Sequence, residues 1–419
     1  MNEKLLHYIW QFQCFSKTHL YTIEGQSLRI LFQGSYNHNQ GPDFTAAKIR
    51  IDDTVWAGNI EIHVLSSDWE MHGHSNDAHY QNVILHVVWK HDKQLSLPFS
   101  TLELFSLVPK LLLQQYKNML EAAHFIPCEK QLQRVNEIVL VKWKERMLIE
   151  RLEDKAAIII QLLQKSNRHW EQTCWWVLGS HFGMQVNKEV FLVILQSIPF
   201  EMLARQRMSV EHLEALLLGQ AGLLSEETED KYLQLLKKHY LFLQKKYALQ
   251  QPAIRLNMLR MRPANFPGIR LAELAALMHQ SAHIFSIIIQ STALNELQQK
   301  LELQASAYWN NHYSPGRNSA TKPKHTGKLF QQHLLINAII PLLYAYAIDR
   351  GEPSLKSKAI QWMQELMPEH NKITRGFQQA GMRNETAFDS QAMIRLKQVY
   401  CDHKRCLECA IGVAILKQA

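Results

Sequence analysis

Two hydrophobic rhythms divide the chain. Up to about residue 95, apolar and polar residues mostly alternate, the period of strands that bury one face. Segments 28–34, 44–51, 54–64 and 83–89 combine that alternation with Val, Ile, Phe and Trp and are expected to be strands. Asp52-Asp53 falls between the second and third and is expected to form a tight hairpin turn. Residues 5–15 carry apolar side chains at helical spacing, and Ser66, Ser67 and Asp68 can cap a short helix within 66–82. The resulting order is α-β-β-β-α-β.

From about residue 110 the period lengthens to three and four. Segments 111–124, 137–164, 230–247, 268–294 and 329–350 are expected to be amphipathic helices. They are interrupted by Arg-Met-Arg-Pro-Ala-Asn-Phe-Pro-Gly at 260–268 and by a Gly-, Pro-, Ser- and Asn-rich stretch at 310–327. No convincing short repeat is present. The expected class is α+β. An α/β unit occupies 1–110, a helical body 111–400, and a cysteine cluster at 401–412 closes onto the body or the first unit.

Composition adds little to this division. The 419 residues can build two or three cores, and 47% hydrophobic with 20% charged residues is ordinary for a soluble globular protein. No stretch approaches the roughly 18–20 apolar residues of a membrane span. The first ten residues lack the apolar core and cleavage site of a signal peptide. A cytoplasmic protein with no membrane partner is therefore expected. The 46 basic against 38 acidic residues give a net charge of +8, compatible with nucleic acid or another polyanion. Arg260, Arg262 and Arg270 surround a Pro-rich turn and could grip phosphate, or bond exposed carbonyls in a helix-connecting loop.

Candidate chemistry concentrates between 41 and 89. Residues two apart on a strand share a face, so Glu61 and His63 point the same way with Asn59 beside them. Asp43 starts the preceding strand after a Gly-Pro bend, and the hairpin can carry it towards Glu61. Two carboxylates from adjacent strands make a hard oxygen site suited to Mg²⁺ or Mn²⁺. His63 could then move a proton or orient water. In the plainer reading Asp43 caps a turn, Glu61 pairs with a basic residue and His63 is solvated. His72-X-His74, near Asp68, could instead hold Zn²⁺ or another transition metal, or line the same cleft. His86, among apolar residues, reads as a core histidine.

The arrangement resembles the PD-(D/E)XK nuclease superfamily. Pro42-Asp43 and Glu61-Ile62-His63 fall where that superfamily carries Pro-Asp and Glu-X-Lys, with 17 residues between the two acids. The resemblance implies a restriction-endonuclease-like core, with Asp43 and Glu61 binding Mg²⁺ or Mn²⁺ and the Ile62 carbonyl assisting. His63 stands in the lysine position, and Lys48 on the neighbouring strand is the available substitute.

Of six cysteines, Cys401, Cys406 and Cys409 lie within nine residues. Cys-X4-Cys-X2-Cys offers three soft ligands to zinc or an iron–sulfur cluster. Cys128, His403 and Cys14 are candidates for the fourth; Cys128 would tie the end of the α/β unit to the chain terminus. Reduced thiols on a helix are the alternative. The one-plus-three pattern is similar to the iron–sulfur staple of several helicase-associated nucleases, with different spacing.

The whole chain resembles a bacterial family, domain-of-unknown-function family 2851. The resemblance rests on Gly-Pro-Asp-Phe, Glu-Ile-His-Val with Ser-Ser-Asp-Trp, Arg-Met-Arg-Pro-Ala-Asn-Phe-Pro and the cysteine cluster. It brings no assigned activity. The leading expectation is a metal-dependent nuclease or a nuclease-derived nucleic-acid-binding protein. The alternatives are a non-enzymatic helical interaction protein with a structural metal, and a transition-metal hydrolase built on His63, His72 and His74. Walker, serine-hydrolase and His-Glu-X2-His motifs are absent.

Overall fold

A computed structural model describes residues 1–419 except 38, 122, 226, 259, 260 and 419. Two compact units divide the chain. The first comprises Met1–Lys144, Lys372–Arg383 and Met393–Ala419; the second comprises Glu145–Asn371 and Asn384–Ala392. The terminal cysteines thus fold with the N-terminal sheet.

The first unit is built on a six-stranded sheet. Its strands are β1 (Leu28–Phe32), β2 (Ser35–Tyr36), β3 (Phe44–Ile51), β4 (Thr54–Leu65), β5 (Val83–Lys90) and β6 (Ser100–Glu103). They run in the order β1-β3-β4-β5-β6, with β2 paired to β3 beside β1. The β3–β4 hairpin closes at Ile51 opposite Thr54, with Asp52 at φ +49, a left-handed conformation that Asp tolerates. β4 pairs in parallel with β5, and β5 with β6. A parallel pair requires a crossover, here residues 66–82, which contain the short helix Asp68–Met71. Helix α1 (Glu3–Gln11) is capped by Asn2, whose side chain accepts from the Leu5 amide, and buries Leu5, Leu6, Ile9 and Trp10.

The α+β class and the element order agree with the sequence expectation. β2 and β6 are additional; at two and four residues they are too short to display a period. β4 is buried on both faces: Ile60 and Ile62 point one way, Glu61 and His63 the other, all at 5% exposure or less. Placing a carboxylate and an imidazole there costs free energy unless each finds a partner.

The second unit is helical. The expected helix over 268–294 is two helices, Pro267–Gln280 and Ile284–Gln290, bent by 72° where Ser281 leaves the helical conformation. The expected helix over 329–350 is present but widens to a π turn at Leu335–Ile339, just before Pro341, which has no N–H to continue the ladder. Helices Trp170–Phe182 and Val210–Gln220 did not stand out in the sequence. Their residues 173–180 and 213–220 are buried on every side, so no amphipathic period exists to detect. Among the described residues no single helix is long and apolar enough to cross a membrane.

Candidate metal centre

Strand period alone aims Glu61 and His63 at one face of β4. The crossover supplies the rest. Asp68 accepts from the Leu65 amide at 2.9 Å, and Asp92 receives the Ser66 hydroxyl and the Ser67 amide, so the chain turns sharply at the end of β4. Trp69 donates its indole N–H to Ser75 at 2.9 Å. Gly73, at φ +73, reverses the chain between His72 and His74. Both imidazoles are thereby turned back over His63.

Three histidine nitrogens converge, with a Glu61 oxygen beside two of them. His63 Nε2 lies 3.1 Å from His72 Nδ1 and 3.3 Å from His74 Nε2. Glu61 Oε1 lies 3.3 Å from His74 Nε2 and 3.7 Å from His63 Nε2. The three histidine ligand atoms all fall within 4.8 Å of one another. Zinc bonds of about 2.0–2.1 Å in tetrahedral array would place donors about 3.3–3.4 Å apart, and the His63 contacts to His72 and His74 are close to that separation. The rings are also held from behind. His63 Nδ1 meets His86 Nε2 at 2.9 Å, and Tyr80 stacks on His74 with ring centroids 3.9 Å apart.

Electrostatics favour an uncharged imidazole set. Burial, then the neighbouring His86, His74 and His72, lower His63 to about 2, so its ring stays neutral with a lone pair to offer. Burial likewise lowers His74, and lowers His86 to about 4. Burial and the nearby Asp43 charge raise Glu61 to about 9. Without a cation Glu61 therefore holds a proton at neutral pH. A bound cation would take that proton's place.

Asp43 does reach Glu61, but the contact is not a pair of open carboxylates. The Asp43 amide donates to Glu61 Oε2 at 3.1 Å, and Asp43 Oδ2 accepts from the Ile62 amide at 3.0 Å. The same Oδ2 lies 3.2 Å from His7 Nε2. The free oxygen of Glu61 faces histidines, a donor set suited to transition metals more than to Mg²⁺.

Other expected site residues lie apart from the cluster. Lys48 is exposed and pairs with Ala57, four residues or about 13 Å along the strand from Glu61. It is not brought to the lysine position. The Asn59 side chain accepts from the Ala46 amide and holds the bulge in β3. Asp68 closes the turn after β4 and does not join the donor set.

Arg270 is buried at 4% exposure. It pairs with Glu273 at 2.5 Å, bonds Asn265 and lies over the Phe330 ring at 3.4 Å. Its guanidinium, expected to face nucleic acid, is committed to the core of the second unit. Arg262 is exposed, and Arg260 lies outside the described residues.

Cys128, Cys401, Cys406 and Cys409 line one cavity of about 10 Å³. His403 is exposed, and Cys14 lies against Tyr8.

Two participants escaped the sequence reading. His7 sits on α1, far from the other residues in sequence, and no local pattern marks it. His86 was read as a core histidine, and it is fully buried; its place opposite Glu61 on the parallel strand puts it behind His63. A polar side chain in the middle of an apolar strand was the available signal.

A family model described as a protein of unknown function (DUF2851) matches residues 3–372. No curated protein and no solved structure matches the chain.

Proposed function

The chain belongs to the DUF2851 family, and from the site itself we propose that it is a transition-metal-dependent hydrolase of phosphodiester bonds. The observation that carries this reading is the convergence of His63 Nε2, His72 Nδ1 and His74 Nε2, with Glu61 Oε1 against His63 and His74 at 3.7 and 3.3 Å. The net charge of +8 supports a polyanionic substrate, as does the resemblance of Pro42-Asp43 and Glu61-Ile62-His63 to a nuclease motif.

A divalent transition ion in this site supplies a Lewis acid for a phosphoryl oxygen and makes an adjacent water more acidic. The protein's own residues do the remainder. With the shared proton on His63, His86 Nε2 accepts from Nδ1–H and the His63 Nε2 lone pair faces the cluster. Tyr80 and Trp69 pack on the rings of His74 and His63 and limit their rotation. Asp43 and His7 form a partly exposed pair, at 22% and 14% exposure, beside this buried cluster. Asp43 Oδ2 is the oxygen placed to accept a proton from water, with His7 to pass it to solvent.

A second reading has its own support. If Glu61 joined the three histidines it would complete four protein ligands, the closed arrangement of a structural metal. On that reading the ion joins the crossover to β4, and the protein acts as a non-enzymatic interaction module.

Elemental analysis and hydrolysis assays on the same preparations separate the two. Bis(p-nitrophenyl) phosphate and single- and double-stranded oligonucleotides would be tested with Zn²⁺, Mn²⁺ and Mg²⁺. The hydrolase reading expects turnover with a transition ion, and loss of turnover and of the histidine-bound ion in the His72→Ala/His74→Ala variant. A parent that holds this ion without turnover selects the structural reading. A parent that holds no more transition metal than the variant overturns both.

A further inference from the structure

Besides the histidine cluster, the first unit gathers four cysteines around one small cavity. Cys128 precedes a short 3₁₀ segment, Glu129–Arg134, while Cys401 ends a π turn, Leu396–Cys401. Cys406 opens another 3₁₀ turn, and Cys409 caps the last helix, Ala410–Leu416. These two distant segments of the chain deliver all four thiols to the same small cavity. None forms a disulfide. Cys128, Cys406 and Cys409 are buried, each at 7–8% exposure. About 10 Å³ is too small for an organic ligand and comparable to a single probe sphere.

We propose that Cys128, Cys401, Cys406 and Cys409 form a tetrathiolate centre for a thiophilic metal, either Zn²⁺ or the iron of an iron–sulfur cluster.

Burial raises all four thiols, and the Ile411 and Gly412 amides beside the Cys409 sulfur act in the opposite direction, towards thiolate. Gly412 lets the last helix pack against the Cys406 turn: a Cβ there would stand 2.2 Å from the Cys406 carbonyl oxygen. Residues 401–406 are tied into one conformation by Lys404 N–H to Cys401 O at 3.1 Å and Arg405 N–H to Tyr400 O at 2.9 Å. Lys404 takes a left-handed φ of +52 to permit it. Arg405 closes the loop by pairing with Glu408 and lying over the Tyr400 ring. A packing role alone would ask only for small apolar side chains; it would not require a strained loop and amides aimed at sulfur. Four cysteine ligands make a closed site, as in structural zinc centres, or supply the full complement of an iron–sulfur cluster. The centre would staple the segment at 393–419 to the portion carrying the sheet.

The test uses the full chain, purified anaerobically, in a His72→Ala/His74→Ala background that removes the other centre. Zinc, iron and acid-labile sulfide are measured with the visible absorption spectrum. About one zinc per chain without a visible band supports the proposal. So does iron with matching sulfide and a visible band. Alkylation by iodoacetamide, read by mass spectrometry, is followed before and after a chelator. Cys128, Cys401, Cys406 and Cys409 should react only afterwards, whereas Cys14 should react at the same rate in both states. This readout needs no cysteine variant. A chain with neither zinc nor iron overturns the proposal. So does a Cys401 that alkylates as fast as Cys14 before the chelator is added.

Discussion

Nδ1 of His63 lies 2.9 Å from Nε2 of His86, so the interior strand β5 decides which nitrogen of His63 faces its neighbours. With the shared proton on His63, its Nε2 is a lone pair aimed at His72 and His74. With the proton on His86, His63 Nε2 becomes a donor and the cluster closes as a hydrogen-bonded chain without metal.

Replacing His86 therefore tests the metal reading at one remove. His86→Leu keeps the apolar strand but removes the orienting nitrogen. Metal affinity should fall about 10–100-fold, with far-ultraviolet circular dichroism unchanged. Competition with a chromogenic chelator reads the affinity. Affinity equal to the parent would show that His86 does not set the ring.

The pH dependence of stability should differ between metal-free and metal-loaded protein. Glu61 is raised from 4.5 to about 9, so the folded state holds a proton that the unfolded chain releases. Its contribution is present below about pH 4.5 and is lost as pH rises towards 9. His63 and His86 are lowered from 6.5 to about 2 and about 4, so the unfolded chain binds protons that the folded state refuses. Their contribution is lost as pH falls below 6.5. Two histidines outweigh one Glu61 until the unfolded imidazoles lose their protons, so metal-free protein should melt highest near pH 6.5, and bound metal should move that maximum upward by replacing the Glu61 proton. Calorimetric scans across pH, with and without chelator, check this; superimposable profiles would contradict it.

Asp43 and Glu61 should separate in their effects. Glu61→Gln removes a donor atom of the cluster and should release the metal. Asp43→Asn should retain it and lower hydrolysis about 10²–10⁴-fold, as expected for loss of a general base. Metal analysis beside initial rates makes the comparison. Metal loss in Asp43→Asn and retention in Glu61→Gln would point back to a site centred on the hairpin.

In the second unit, Arg270 and Glu273 form a buried pair within one helix. Arg270→Ala leaves Glu273 buried without its partner and should cost about 3–5 kcal/mol in stability. Exposed Arg262→Ala should change stability by less than about 0.5 kcal/mol. Urea titration of both variants measures this. Equal midpoints would mean that the pair contributes nothing to the fold.

The division of labour between sequence and fold follows from the range of the interactions. Strand and helix periods are local, and they located α1, the principal strands, the hairpin turn at Asp52 and long helices such as Glu137–Lys165 and Lys231–Tyr247, but not Met184–Gln196 or Pro353–Glu365. The same period placed Glu61 and His63 on one face, because alternation is a property of the strand itself. Where burial is complete, as in Trp170–Phe182 and Val210–Gln220, the period vanishes and the helices were not legible. The donor set was decided only by the tertiary structure. His72 and His74 lie in a crossover whose path depends on Asp68, Asp92, Trp69 and Gly73, and none of those contacts repeats with a period. His7 meets Asp43, and Cys128 joins Cys401, Cys406 and Cys409, only after distant segments pack. Sequence alone thus determined which residues could bind metal. Packing determined which atoms meet, and so whether histidine, cysteine or carboxylate dominates each site, because donor geometry is set by contacts between residues far apart in the chain.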